Sequence, residues 1–214
     1  MANPTNIQAI LFDADGVLQK PVEGWRERLA AFSGSTERQD EFPRDFFEAE
    51  IPCLTGEADF AEGLVGVLAQ WNSPYSVKEV VEAHRSNVDV DSGVVEIVHA
   101  LRRSGIPCYL TTNQQEYRAR YMSEELGYAN IFDGEFYSCR VGHKKPDIEY
   151  FETVLDAIAL TRERVLFIDD GEPNVIAAQG IGINGILFEA NAGAEALERT
   201  LQQFGIEVQS YSTR

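Results

Sequence analysis

The feature that most restricts the fold is an alternation of short apolar runs with amphipathic stretches. Residues 7–12 (IQAILF) form an apolar run that stops at Asp13-Ala14-Asp15-Gly16. Runs of the same kind recur at 107–110, 135–138, 165–168 and 185–188, and each reads as a buried strand. Between them lie helical patterns at 94–103 (closed by Gly105), 115–126 (stopped by Gly127), 147–158, 174–179 and 192–204. In 147–158 the apolar residues Tyr150, Phe151, Val154, Leu155 and Ile158 share one helix face. Strands alternating with helices predict an α/β fold whose open parallel sheet carries helices on both faces.

The stretch 21–87 breaks this rhythm. Phe60, Leu64, Val67, Leu68 and Trp71 fall on one side of a helix, and Ser76-Val77-Lys78-Glu79 is a capping box that opens another. Residues 25–32 and 43–50 also read as helices, and no strand pattern is present. The expected organisation is a core of residues 1–20 and 88–214 with a small all-helical domain, 21–87, inserted after the first strand. Its Trp25, Arg26, His84 and Arg85 are candidates to face a ligand, weighed against the plainer reading of a packed ring and solvated charges.

With 214 residues and 44% apolar composition the chain can bury a sizeable core, and 35 acidic against 18 basic residues give a net charge of −17. That charge argues against nucleic acid or an anionic membrane as partner, while a small anionic substrate remains compatible because it feels local charge and any bound metal. No segment reaches the length of a membrane span, and residues 1–8 carry neither a basic stretch nor a long apolar run. Cys53, Cys108 and Cys139 are odd in number and widely spaced, which disfavours a disulfide framework or a zinc site and fits a cytoplasmic location. Composition leaves the oligomeric state open.

In open parallel sheets, ligands bind beyond the carboxyl ends of the strands. Three strand ends here carry chemistry: Asp13 and Asp15, then Thr111, Thr112 and Asn113, then Asp169 and Asp170. Four carboxylates brought to one crevice need a compensating cation, and Mg²⁺ with its preference for oxygen ligands is the natural one. Thr112 and Asn113 beside a helix start can cradle a phosphate, or one of them can cap the helix. Of Lys144 and Lys145, one can reach the crevice and offset phosphate charge. Taken singly, Asp13-Ala14-Asp15-Gly16 can also be nothing more than a strand end and a turn.

In their order, FDADGVL, YLTTN, KKPD and VLFIDDGEPN resemble the motifs of the haloacid dehalogenase superfamily of aspartate-nucleophile hydrolases, over residues 5–20 and 88–190. The resemblance implies a Rossmann-like core whose first strand is central, between the second and fourth, with a helical cap in the insertion. It implies Asp13 as nucleophile and Asp15 as general acid/base, with Thr112, Asn113 and Lys145 on the phosphoryl group. Lys144 is the register alternative to Lys145. Asp170 would be a direct metal ligand and Asp169 would reach the ion through water. Asp13 and the backbone carbonyl of Asp15 would complete the Mg²⁺ shell, and Asn174 would orient the loop. Asp15 favours phosphate-ester chemistry over dehalogenation, since a leaving alkoxide needs a proton and a halide does not. For that role Asp15 is expected to carry a raised pKa. The expected activity is Mg²⁺-dependent hydrolysis of a small phosphorylated metabolite through an aspartyl-phosphate. A phosphomutase, or a non-catalytic phosphate-binding regulator on the same scaffold, is the alternative.

Overall fold

A computed structural model describes residues 7–208 of the chain. The first six residues, part of the N-terminus read above for a leader, lie outside the described residues. Five strands, β1 (Ala9–Phe12), β4 (Cys108–Thr112), β5 (Gly134–Tyr137), β6 (Val165–Asp169) and β7 (Asn184–Leu187), form a parallel sheet in the order β5-β4-β1-β6-β7. The first strand is central between the second and fourth of the expected strands, as the resemblance implied. Register then sets the site: Phe12 pairs with both Leu110 and Ile168, so Asp13, Thr111 and Asp169 follow at one level of three adjacent strands.

Side chains on these strands point alternately to the two faces. Ile10 and Phe12 of β1, with Leu166 and Ile168 of β6, join one apolar cluster. Leu11, Val165 and Phe167 join the other. Helices Ser92–Arg103 and Ala194–Gln202 close the first face through Val94, Ile97, Val98, Leu101, Leu197 and Leu201. Helices Ile148–Ile158 and Glu172–Gly180 close the second through Tyr150, Phe151, Val154, Leu155, Val175 and Ala178. Both faces are covered by helices, which is why the strands read as continuous apolar runs.

The chain leaves and re-enters this core through a short antiparallel pair, β2 (Gln19–Lys20) with β3 (Asp89–Val90). Two residues per strand are too few to leave a periodic signal, and the sequence reading passed over them. Between them stand helices Trp25–Ala31, Phe42–Glu50, Phe60–Gln70 and Val77–Arg85. They pack around their own cluster, in which Phe46 contacts the rings of Phe42, Phe47, Phe60 and His84. The Ser76–Glu79 capping box is formed. The insertion meets the core where Tyr117 Oη donates to Asp59 Oδ2 at 3.0 Å and where Arg85 pairs with Glu125.

One helix differs from expectation. The predicted helix at 115–126 is α-helical only over Glu116–Arg120 and then widens to a π turn over Tyr121–Glu125. Two four-residue helices, Tyr128–Ile131 and Ser138–Val141, were too short to be read from pattern. No helix among the described residues is long and apolar enough to cross a membrane.

Candidate active site

Lys145 is the hub of the site. Its ammonium lies 2.9 Å from Asp13 Oδ1 and 2.5 Å from Asp169 Oδ2, and donates to the Thr111 carbonyl at 2.8 Å. All of this is buried: Lys145 is 2% exposed and Asp169 0%. Burial opposes the lysine's charge, but the two carboxylates outweigh it and its pKa rises. Lys145, and not Lys144, makes these contacts. Asn113 fixes the loop: its amide donates to the Lys145 carbonyl at 2.8 Å and accepts the Lys145 N–H at 2.9 Å. Both polar atoms of the Asn113 side chain thereby hold the Lys145 backbone, whereas the resemblance puts this side chain on phosphate.

Asp13, Asp169 and Asp170 each offer an oxygen within 4.8 Å of the others. Burial first, and then Asp169 and Asp15, push the pKa of Asp13 up to about 7 against the pull of Lys145. Burial and Asp169 also raise Asp170, which has no salt-bridge partner among the described residues. Asp169 is fully engaged, since its second oxygen accepts from Gly171 N at 2.7 Å and Asn174 Nδ2 at 3.0 Å. Asn174 thus ties this loop to Asp169. A group of oxygen donors with more negative charge than its one lysine balances fits a hard divalent cation such as Mg²⁺.

Asp15 corrects two expectations. Its carboxylate is absent from the acidic group. It accepts instead from Gln19 Nε2 at 2.8 Å, Gln114 Nε2 at 2.7 Å and Arg118 Nη2 at 3.1 Å. Burial works against its charge, but the Arg118 guanidinium and the two amides prevail and hold its pKa below the usual carboxylate value. The expected rise is thus reversed, because the donors around Asp15 bind its charged form. Gln114, Arg118 and Gln19 were missed in the sequence. The available signal was Gln114 directly after YLTTN, with Arg118 one helical turn further on.

These groups open on a cleft of about 320 Å³ lined by Asp13, Asp15, Thr112, Asn113, Lys145 and Asp170. Thr112 faces it, whereas the Thr111 hydroxyl is turned between strands to donate to the Phe12 carbonyl at 3.2 Å. Of the insertion residues considered, His84 Nε2 lies 2.9 Å from Glu50 Oε1, Arg26 stacks over Trp25, and Arg85 pairs with Glu82. Cys53, Cys108 and Cys139 are free thiols, and burial raises the pKa of each.

Gly16 sits in this wall at φ +84°, its carbonyl accepting Asn191 N–H at 2.7 Å. A Cβ there would lie 2.1 Å from Asp170 Oδ2. Gly16→Ala is therefore expected to displace Asp170 and weaken Mg²⁺ binding by roughly 10–100-fold, the usual effect of disturbing a ligand's support. Isothermal titration of Mg²⁺ into the two proteins checks this; equal affinities would contradict it.

Comparison with known proteins agrees with this geometry. The family model for haloacid dehalogenase-like hydrolases matches residues 7–182. A sesquiterpene phosphatase of Aspergillus oryzae is 33% identical over 96 residues, 45% of this chain and 49% of that protein. A flavin mononucleotide hydrolase of Arabidopsis thaliana is 27% identical over 63% of this chain and 53% of its own length. The chain thus spans about half the length of these two curated relatives. A phosphorylated carbohydrates phosphatase of Thermotoga maritima is 25% identical across 90% of this chain and 91% of that protein. Among solved structures, a haloacid dehalogenase family enzyme of Bacteroides thetaiotaomicron superposes with TM-score 0.77 at 20% identity, over 89% of this chain and 98% of that one. With the family model covering most of its length, the chain belongs to the haloacid dehalogenase-like hydrolases.

Proposed function

We propose that the chain is a Mg²⁺-dependent phosphoric monoester hydrolase that acts on a small phosphorylated metabolite through an aspartyl-phosphate at Asp13. The observation that carries this reading is the buried Lys145 ammonium between Asp13 and Asp169, beside Asp170, which forms no salt bridge among the described residues. Asp13, Asp170 and the Asp15 carbonyl would hold the ion, and Asp169 would support it from behind. Bound there, Mg²⁺ would neutralise phosphoryl oxygens and lower the repulsion an anionic nucleophile meets. Lys145 would add to that neutralisation, and the Thr112 hydroxyl would bind a phosphoryl oxygen.

Asp13 attacks phosphorus, the bond from phosphorus to the leaving oxygen breaks, and that oxygen takes a proton from Asp15. In the second step Asp15 accepts a proton from water, whose oxygen attacks phosphorus and releases phosphate and the Asp13 carboxylate. The arrangement described here suits the second step, since its donors keep Asp15 ionised. For the first, Asp15 must take up a proton and give up at least one of those donors. Residues 21–87 would act as the cap domain over residues 1–20 and 88–214, excluding bulk water during both steps.

The test has two arms. Phosphate release from a panel of phosphate monoesters should require Mg²⁺. Saturating Mg²⁺, at about 100 times its dissociation constant, should raise Tm by roughly 5–10 °C. Asp170→Ala should lose both effects. Metal-independent release, or an equal Tm response in the variant, would contradict the reading.

A further inference from the structure

The helical insertion encloses a second, mostly apolar hollow of about 470 Å³. Val22, Trp25, Leu29, Phe32, Tyr75 and Ala83 line it, with the Phe32 and Tyr75 rings packed edge to face at 5.0 Å. Two features tie it to the reacting centre. Pro21 lines the catalytic cleft, and Val22, the next residue, lines the hollow. His84 also lines it, and its carbonyl accepts from Arg118 Nη1 at 3.1 Å, while the same guanidinium bonds Asp15. Arg118 thus bridges a residue of the hollow's lining and the group assigned to protonate the leaving oxygen.

Its polar lining is sparse and partly spent. His84 Nε2 is engaged by Glu50, and the Ser86 hydroxyl donates to the Glu82 carbonyl at 2.7 Å. Arg28 is its single lysine or arginine. Asn87 Oδ1 is a buried acceptor without a partner, able to take one donor. A sugar brings many hydroxyls that each need a partner when desolvated, and an acidic leaving group brings charge; these walls serve neither well. An apolar group needs no such partner and gains contact with the aromatic rings.

We propose that the leaving group is an apolar or aromatic alcohol and that this hollow receives it. The inference rests on the phosphatase reading above and names the substrate class of that site. The hollow's volume falls in the range of about 300–1,000 Å³ common to small-molecule pockets, so a branched or ring-bearing hydrocarbon fits its scale.

The experiment measures kcat/KM for n-alkyl monophosphates from ethyl to octyl, below their micelle-forming concentrations, with glucose 6-phosphate alongside. Each methylene that enters the hollow should raise kcat/KM by about fourfold, so octyl should exceed ethyl by at least ~100-fold. Glucose 6-phosphate should stay near ethyl phosphate. Ala83→Trp changes an exposed helix position that faces the hollow, and it should reduce the octyl-to-ethyl ratio to within about tenfold; Tyr75→Ala, at a second exposed position, should lower it as well. A flat chain-length series, a preference for the sugar phosphate, or a ratio that both variants leave intact would overturn the inference while the phosphatase reading stands. Absence of Mg²⁺-dependent release from every ester would overturn the phosphatase reading and this inference with it.

Discussion

Asp13→Asn is expected to lower Mg²⁺-dependent phosphate release by at least ~10⁴-fold, the scale on which losing a nucleophile acts. The reason is covalent: an amide cannot form the acyl phosphate through which the proposed hydrolysis runs. The variant should nevertheless fold. Asp13 is 8% exposed, its carboxylate is crowded by Asp169, and its pKa is pushed up to about 7, so its charge is held against a desolvation cost. Replacing it with a neutral isostere relieves that crowding and leaves the 2.5 Å pair between Lys145 and Asp169. Tm should therefore be unchanged or higher in the absence of metal. Phosphate release and thermal unfolding measured on the same preparation check both halves. Activity above about one per cent of wild type would remove Asp13 from the nucleophile's role.

Lys145→Met should have the opposite balance, with a large loss of stability as well as activity. The ammonium, itself buried, pairs with Asp13 and with the fully buried Asp169, and bonds the Thr111 carbonyl. Methionine matches the stem's length but strands two buried carboxylates against each other. Breaking a buried pair in this way costs about 3–5 kcal/mol, which for a chain of this size lowers Tm by roughly 6–20 °C. The Arg162–Glu152 pair provides a control. Its 3.2 Å contact is half exposed on the surface, and Arg162→Ala should cost less than about 1 kcal/mol. Differential scanning calorimetry on the two variants measures the contrast; equal, small shifts would mean that Lys145 does not hold the carboxylates together.

The chain's legibility divides along a physical line. Strands buried on both faces announce themselves as apolar runs, and their polar ends, Asp13, Thr112 and Asp169-Asp170, can be read as a converging group because parallel strands place their carboxyl ends on one side. The β2–β3 ladder and the π turn at Tyr121–Glu125 leave no such trace. The state of Asp15 was misread for another reason. Its spacing from Asp13 is visible in sequence, but its pKa depends on Gln114 and Arg118, roughly a hundred positions away in the chain. Lys145 and Lys144 are adjacent and chemically alike; only the loop held by Asn113 separates the buried one from its neighbour. The hollow lies further still from sequence pattern, because Trp25, Phe32, Tyr75 and Ala83 read as ordinary amphipathic positions until the insertion folds around it.

The central claim is that one carboxylate, Asp13, carries the phosphoryl group during turnover. Acid quenching of the working enzyme with its best phosphate ester and Mg²⁺, followed by peptide mapping by mass spectrometry, addresses it directly. The account predicts a phosphoryl adduct on the peptide bearing Asp13, absent from Asp13→Asn. An adduct on another residue, or full turnover with no covalent phosphoryl-enzyme at any quench time, would contradict it.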